Sequence, residues 1–486
     1  MNPESHTHRS PSDETPRLAL LALCLAMLLS SLGTSSANVA LPTLARSLAG
    51  SFQAAQWVVL AYLVAITASI VTVGRLADLL GRRQVLQAGL LLFVLGSAAA
   101  GFAPSFAWLL AARVVQGLGA AAMMALTVAF VGELLPAEQT GRAMGLLGTT
   151  SAIGTALGPS LGGALLTWWG WRAIFLINLP LGVVALVVAR RSLPADTVRN
   201  ATGAGLDMPG TLLLALGLAG YALAMTLGRG HFGALNLALL VGAGVAAAMF
   251  AAVQRRAASP LLPLGLLRDA PFAASLLANF LVSAVLMATL AVGPFHLALA
   301  LGLEPSAVGL VMSVGPVVSA FVGVPAGRGV DRFGAERTSL VALGSAALGA
   351  LLIAVVPRSF GVLGYVGPLA MLTASYATFQ AANNTAVMRR AGPQERGLVS
   401  GVLTLSRNLG LVSGTAVLGA VFAWASGAID PALAEPAAVA RGTEFTFGVG
   451  AVLILVGLFT VRSARARGSR VVARVSVAPS AAQGGS

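Results

Sequence analysis

The chain has 486 residues, of which 57% are hydrophobic and only 9% charged, where a soluble domain carries roughly 25% charged. A spanning helix takes about 20 apolar residues, so this composition accommodates roughly fourteen spans and leaves no soluble catalytic domain. The formal net charge is +14, but the arginines that carry it lie in gaps between apolar runs, which excludes a nucleic-acid-binding stripe and fits the inner loops of a membrane protein.

Residues 1–17 form a polar tail without the basic start of a cleaved signal, so the first apolar run is expected to remain as a span. His6 and His8 in that tail make only a superficial metal pair, and no metal or cofactor is expected. The single cysteine, Cys24, falls in the first apolar run, so no intramolecular disulfide can form. Spans are predicted at 18–40, 55–74, 84–103, 106–132, 142–166, 173–189, 207–228, 234–254, 272–298, 306–326, 338–357, 362–385, 398–425 and 444–461. This divides the chain into a tail (1–17), a six-helix bundle (18–192), linkers with two inserted helices (193–271), a second six-helix bundle (272–461) and a disordered tail (462–486).

An even number of spans puts both termini on one side. Of the thirty arginines, 23 fall on the side holding the termini, five on the other and two, Arg113 and Arg407, inside spans. Both termini are therefore expected in the cytoplasm. The stretch 74–86 reads G-R-L-A-D-L-L-G-R-R-Q-V-L, and a degraded copy, G-R-G-V-D-R-F-G-A-E-R, occupies 327–337. Their aspartates, Asp78 and Asp331, lie 253 positions apart. A short loop repeated once per half is the mark of a duplicated transporter.

Several motifs carry a resemblance over residues 18–461. They are Gly74-x-Leu76-Ala77-Asp78-x-x-Gly81-Arg82-Arg83 between spans two and three, Arg113-x-x-Gln116-Gly117-x-Gly119 in span four, and Gly154-x-x-x-Gly158-Pro159-x-x-Gly162-Gly163 in span five. Asn38-Val39-Ala40-Leu41-Pro42 and Trp171-Arg172-x-x-Phe175-x-x-Asn178-x-Pro180 add to them. Together they resemble the major facilitator superfamily, in its fourteen-helix drug:proton antiporter branch. The resemblance implies an all-α polytopic fold of two six-helix bundles with two inserted central helices, exporting small molecules by alternating access.

Gly154, Gly158 and Gly162 share one helix face, where missing side chains let a neighbour approach closely, and Pro159 removes an internal hydrogen bond. Generic small-residue packing and a leak-sealing antiporter seam are both open to them. Asp78 is either a surface carboxylate beside arginines or, as the resemblance implies, a latch set against a helix N-terminus of the other bundle, with Gly74, Gly81, Arg82, Arg83 and Asp331 in the same device. Arg113 and Arg407 are expected to face the bundle interior, because a buried ion in the bilayer is costly and persists for a reason. They either pair with carbonyls or line a central polar cavity with Asn38, Gln116, Asn279, Gln380 and Asn383. Tyr62, Asn178 and His296 complete the expected pathway, although His296 also suits an interfacial, satisfied histidine.

The chain departs from its relatives in span one. Where the branch usually carries an aspartate, five residues before the Asn-Val-Ala-Leu-Pro segment, this chain has Gly33. A cavity without that carboxylate is net positive, which suits acidic or uncharged lipophilic substrates. The expected function is proton-coupled export of lipophilic small molecules by a monomer seated in the lipid bilayer of a bacterial plasma membrane. The alternatives are a facilitator or lipid transporter that does not use protons, and a non-transporting scaffold or sensor. No nucleophile–base set or metal cluster suggests an enzyme, and no nucleic-acid partner is expected.

Overall fold

The computed structural model describes residues 11–134, 137–194, 207–227, 233–256, 268–356, 358–389, 396–427 and 433–476, with Asp196 and Gly265 besides. His6, His8 and the end of the chain from 477 lie outside these. Apolar runs of about 20 residues leave a backbone in lipid no hydrogen-bond partner but itself, so they close into helices. In chain order these are α1 (Pro11–Val39), α2 (Phe52–Leu80), α3 (Arg82–Gly101), α4 (Phe106–Leu134), α5 (Ala137–Trp169), α6 (Trp171–Ser192) and α7 (Met208–Thr226). There follow α8 (Ala234–Arg256), α9 (Ala270–Ala300), α10 (Pro305–Phe333), α11 (Ala335–Val355), α12 (Gly361–Met388), α13 (Val399–Ser426) and α14 (Pro436–Ser476). Thirteen are long and apolar enough over their described residues to cross a membrane. The 33-residue α5 has the length as well, which brings the count to about fourteen.

The packing repeats. In the first half α5 lies on α1, α4 on α2 and α3, and α6 on α1 and α3; in the second, α13 lies on α9, α12 on α10 and α11, and α14 on α9 and α11. The breaks repeat too. Left-handed glycines at 50, 81 and 170 have counterparts at 302, 334 and 427. The inserted pair α7 and α8 packs together between the halves in sequence, with α7 against α2.

Two expectations need correction. The stretches 74–86 and 327–337 are not loops. Helix continues through both, broken only at Gly81 (φ 103°) and Gly334 (φ 83°), a backbone region closed to most side chains. Arginine, leucine and alanine are good helix formers, so a polar stretch beyond the lipid stays helical until a glycine stops it. The last helix likewise starts eight residues before 444 and runs to Ser476, into the segment expected to be disordered from 462. Below, the face of the molecule carrying Gly81 and Gly334 is the loop face, and the opposite one the far face.

Candidate transport pathway

The halves meet at the far face. Gly163 of α5 and Gly309 of α10 remove the side chains at their crossing, and a Cβ at 163 would stand 2.5 Å from the Pro305 carbonyl oxygen. A Cβ at 309 would strike the carbonyl of Pro159. On the other flank, Gln56 of α2 donates from Nε2 to the Thr415 carbonyl of α13 at 2.7 Å. Between the flanks Phe52 of α2 packs edge-on against Phe295 of α9 at 4.7 Å and tilted against Phe422 of α13 at 5.2 Å. All three rings are fully buried.

Toward the loop face α10 becomes more exposed. The stripe of α10 that begins at Pro305 and Gly309 continues at helical spacing through Ala320, Gly323, Val324 and Gly327. Val324 is 65% exposed, and a Cβ at Gly323 or Gly327 would meet nothing within 4 Å. On α5 the matching stripe runs from Pro159 to Gly148, which is equally open. The aromatic contacts between the halves lie at the far face, and toward the loop face Gly148 of α5 and Gly323, Val324 and Gly327 of α10 are open.

The antiporter glycines lie on a different side of α5 from this crossing. A Cβ at Gly154 would come 2.7 Å from the Leu28 carbonyl of α1, one at Gly158 would overlap Ser35 Oγ, and one at Gly162 would come 2.9 Å from the Ser36 carbonyl. Ser31 and Ser151 share a hydroxyl hydrogen bond of 2.8 Å along the same seam. Helix α5 is thus held between α1 and α10, with Pro159 facing the second.

Arg113 is fully buried inside the first bundle, not on the space between the halves. Its Nε donates to the Val58 carbonyl at 2.8 Å, and both terminal nitrogens donate to the Gly33 carbonyl at 3.3 Å. Nη1 also donates to Gln116 Oε1 at 2.5 Å, and Gln116 Nε2 donates on to Ser97 Oγ at 2.7 Å. The guanidinium lies 4.1 Å from the Tyr62 ring centroid, and the Tyr62 hydroxyl donates to the Ser30 carbonyl at 3.0 Å. Backbone carbonyls and an aromatic face therefore neutralise this cation. At the position expected to hold a carboxylate, Gly33 offers its carbonyl instead. A Cβ there would stand 3.0 Å from the Phe93 ring.

Arg407 is exposed and has no hydrogen-bond or ion-pair partner among the described residues. Its helix places it. Asn279 Nδ2 of α9 donates to the Leu403 carbonyl at 3.0 Å, and Ser406 Oγ donates to the Leu276 carbonyl at 2.7 Å. Farther along, Thr415 and Gly419 meet Gln56 of α2. At roughly 100° per residue, Arg407 points into the angle between α9 of its own half and α2 of the other. The two arginines expected to share one cavity are separated: one is a bundle-core residue and the other faces the inter-bundle space.

The remaining polar residues scatter. Asn38 is buried and donates to its own helix at the Thr34 carbonyl (2.9 Å), and Asn178 sits where α6 breaks into two segments. Gln380 donates to the Tyr376 hydroxyl at 2.7 Å, Asn383 is buried, and the His296 ring stacks 5.4 Å from Tyr365 near the far face. Oδ1 of Asn38, Asn178 and Asn279 and Nδ2 of Asn383 have no partner among the described residues. Glu444, eight residues into α14, lies beside Phe445, whose ring packs on Trp424 two residues before the end of α13.

At the loop face Asp78 is exposed and pairs with Arg82 of its own motif at 3.5 Å. The helix N-terminus there is occupied by a residue that sequence reading missed. Asp196, just past α6, accepts from the backbone N–H of Arg83 at 2.8 Å and of Gln84 at 3.1 Å. Its carboxylate fills the place a Cβ of Gly81 would take. Arg83 donates to the Arg190 carbonyl at 2.6 Å. These contacts all lie within the first half, where inter-bundle contacts were expected. Only the acidic character of Asp196 could have signalled it.

The same architecture recurs in solved transporters. A crystal structure of a bacterial homologue of the human lysosomal transporter Spinster, inward-facing and unoccupied, superposes with a TM-score of 0.70 at 16% identity, covering 94% of this chain and 97% of that one. The multidrug resistance protein Stp of Mycobacterium tuberculosis is 34% identical over 425 residues, 87% of this chain and 79% of Stp. The multidrug efflux pump LfrA of Mycolicibacterium smegmatis is 31% identical over 452 residues, 92% of this chain and 88% of LfrA. The model of the Major Facilitator Superfamily matches residues 23–415. With the paired bundles, the glycine breaks and this match together, the chain belongs to the major facilitator superfamily and is a multi-pass membrane transporter.

Proposed function

We propose that the chain exports lipophilic small molecules across a bacterial plasma membrane by alternating access, as a monomer with both termini in the cytoplasm, using protons as counter-ion. The loop face is then cytoplasmic. The observation that carries the reading is the asymmetry between the faces: aromatic and backbone packing between the halves at the far face, open small residues of α5 and α10 toward the loop face. Such a molecule is poised to receive substrate from inside. The names of Stp and LfrA, a resistance protein and an efflux pump, support the outward direction.

The substrates we assign are acidic or uncharged. Arg407 is exposed on the inter-bundle side of α13, and the position where the branch keeps a span-one aspartate holds Gly33. A lone cation in a low-dielectric cleft attracts anions and repels cations. In the same reading Asp78 and Asp331 serve the loop-face latch, and Gly154, Gly158 and Gly162 with Pro159 form a leak-tight seam. Asn38, Asn178 and Asn383, with their partnerless polar atoms, belong to the substrate and proton pathway together with Tyr62, Gln116, Asn279, His296 and Gln380.

The test is flux in proteoliposomes under an imposed pH gradient, with a lipophilic sulfonate, its uncharged analogue and a lipophilic cation. The sulfonate carries its charge at every pH, so the gradient moves it only through the protein. Expected is uphill movement of sulfonate and neutral dye that collapses with a protonophore. Preference for the cation would overturn the substrate class. Gradient-independent flux would select a second reading, uncoupled transport of anionic amphiphiles, which the glycine at position 33 favours.

A further inference from the structure

The two crossings between the halves are built from equivalent positions. Helices α2 and α10 are both 29 residues long, so Gln56 and Gly309 are each the fifth residue. On the partner helices the match follows the glycine seams. Gly154 and Gly158 of α5 lie against α1, and Gly410 and Gly414 of α13 lie against the Phe280 and Ala284 carbonyls of α9. The residues that follow, Pro159 and Thr415, therefore correspond, and so do the glycines four farther on, Gly163 and Gly419.

What fills these positions differs. At the α5–α10 crossing Gly163 and Gly309 bring backbone onto backbone, and the two helices form one of the most extensively packed pairs in the molecule. The α2–α13 pairing is much slighter. Gln56 lies in the notch left by Gly419, where a Cβ would overlap its Nε2, and it donates to the Thr415 carbonyl at 2.7 Å. Its side chain is buried and its Oε1 has no partner among the described residues, so this one bond anchors the amide. Gly414–Leu418 is a π-turn. Such a turn holds one residue more than an α-turn, which leaves a carbonyl of the ladder short of a donor. Helix α5 stays α-helical through the matching place. One crossing is a backbone weld, and the other hangs on a single side-chain bond to an opened turn.

We propose that Gln56 is the far-face lock: opening toward the far face breaks its bond to Thr415 and parts α2 from α13, while the α5–α10 crossing stays in contact as the pivot. This rests on the alternating-access reading above and adds which flank yields. Separating α5 from α10 would break a long packed surface. Parting α2 from α13 costs one hydrogen bond and the ring contacts of Phe52. The π-turn eases the change, because it can close to α once the amide leaves and so re-pair the carbonyl within its own helix.

Electron–electron distance measurements between spin labels in nanodiscs test the lock, in a Cys24→Ala background. The pair Ser47→Cys/Trp424→Cys reports the α2–α13 flank and Trp169→Cys/Glu304→Cys the α5–α10 flank, all four positions being exposed. Gln56→Leu leaves the Thr415 carbonyl buried without its donor, which should raise the population of a longer 47–424 distance about tenfold over the parent. The 169–304 distance should stay as it is. Gln56→Glu has nearly the same shape but can donate only when protonated, so its longer component should shrink as the pH falls. Lengthening of both distances in Gln56→Leu, or of neither, overturns the proposal, and so does a Gln56→Glu response that is flat with pH, which marks a residue that merely packs. Distances are read without substrate, so the outcomes separate: one-sided opening without flux in the parent defeats the export reading alone, and flux with both flanks lengthening defeats the lock.

Discussion

Arg113 and Arg407 are the same residue within two apolar helices, and they have opposite surroundings. Arg113 is fully enclosed, with Nε and both terminal nitrogens on the Val58 and Gly33 carbonyls and a tyrosine ring against its plane. Arg407 is exposed on the inter-bundle side of α13. A buried guanidinium whose donors are used up by backbone oxygen works as a cross-brace among helices. It ties α4 to α1 and α2 and offers a substrate nothing. An open guanidinium does the reverse: it adds little to the fold and presents a fixed positive charge to a passing anion.

Alanine at each position sharpens this contrast most. Arg113→Ala leaves a cavity and carbonyls without donors, and is expected to lower stability by about 3 kcal/mol or more, read as a fall in melting temperature in detergent. A variant melting like the parent would remove the brace. Arg113→Lys should restore little of the loss, because an ammonium cannot reach both carbonyl sites in the fork geometry. Arg407→Ala should leave melting within about 0.5 kcal/mol while the preference for lipophilic sulfonate over its uncharged analogue falls about tenfold, worth 1.4 kcal/mol. An unchanged preference would make Arg407 a bystander.

Gly33→Asp attempts to convert one environment toward the other. Its Cβ must push the Phe93 ring by a few tenths of an ångström, an overpacking of about 1 kcal/mol, and its carboxylate would then reach Arg113. Expected is a modest loss of stability together with new transport of lipophilic cations that weakens as the pH falls and the acid is protonated. Cation flux that stays at background would detach the glycine from substrate choice. The smallest effect belongs to Arg407→Lys, which keeps the charge: sulfonate flux should stay within about twofold, because an exposed point charge needs no bidentate geometry.

Much of the fold could be read from composition. Apolar runs, arginine-bearing gaps and one repeated motif are enough to give paired bundles with an insertion, since lipid leaves a spanning backbone few options. The site was less legible, for physical reasons. Carbonyl partners such as Gly33 and Val58 leave no side-chain signature, so pattern alone could not choose between carbonyl pairing and a cavity for Arg113. Asp196 acts on Arg83 across 113 positions of chain, a distance local pattern cannot bridge. The breaks at Gly81 and Gly334 hid within stretches whose other residues favour helix. For Arg407, helical phase relative to two neighbours, and not hydropathy, decides where it points.

The attachments of α7 have a mechanical consequence. Its side-chain hydrogen bonds, to Thr72 and Trp57, are to the first half, whereas Ala222 meets the second through the apolar Leu411, Val412 and Ala416 of α13. If the halves rock, the insertion rides with the first and slides over the second, so the apolar contact at Ala222 is a slip joint that needs no hydrogen bond broken at each turnover.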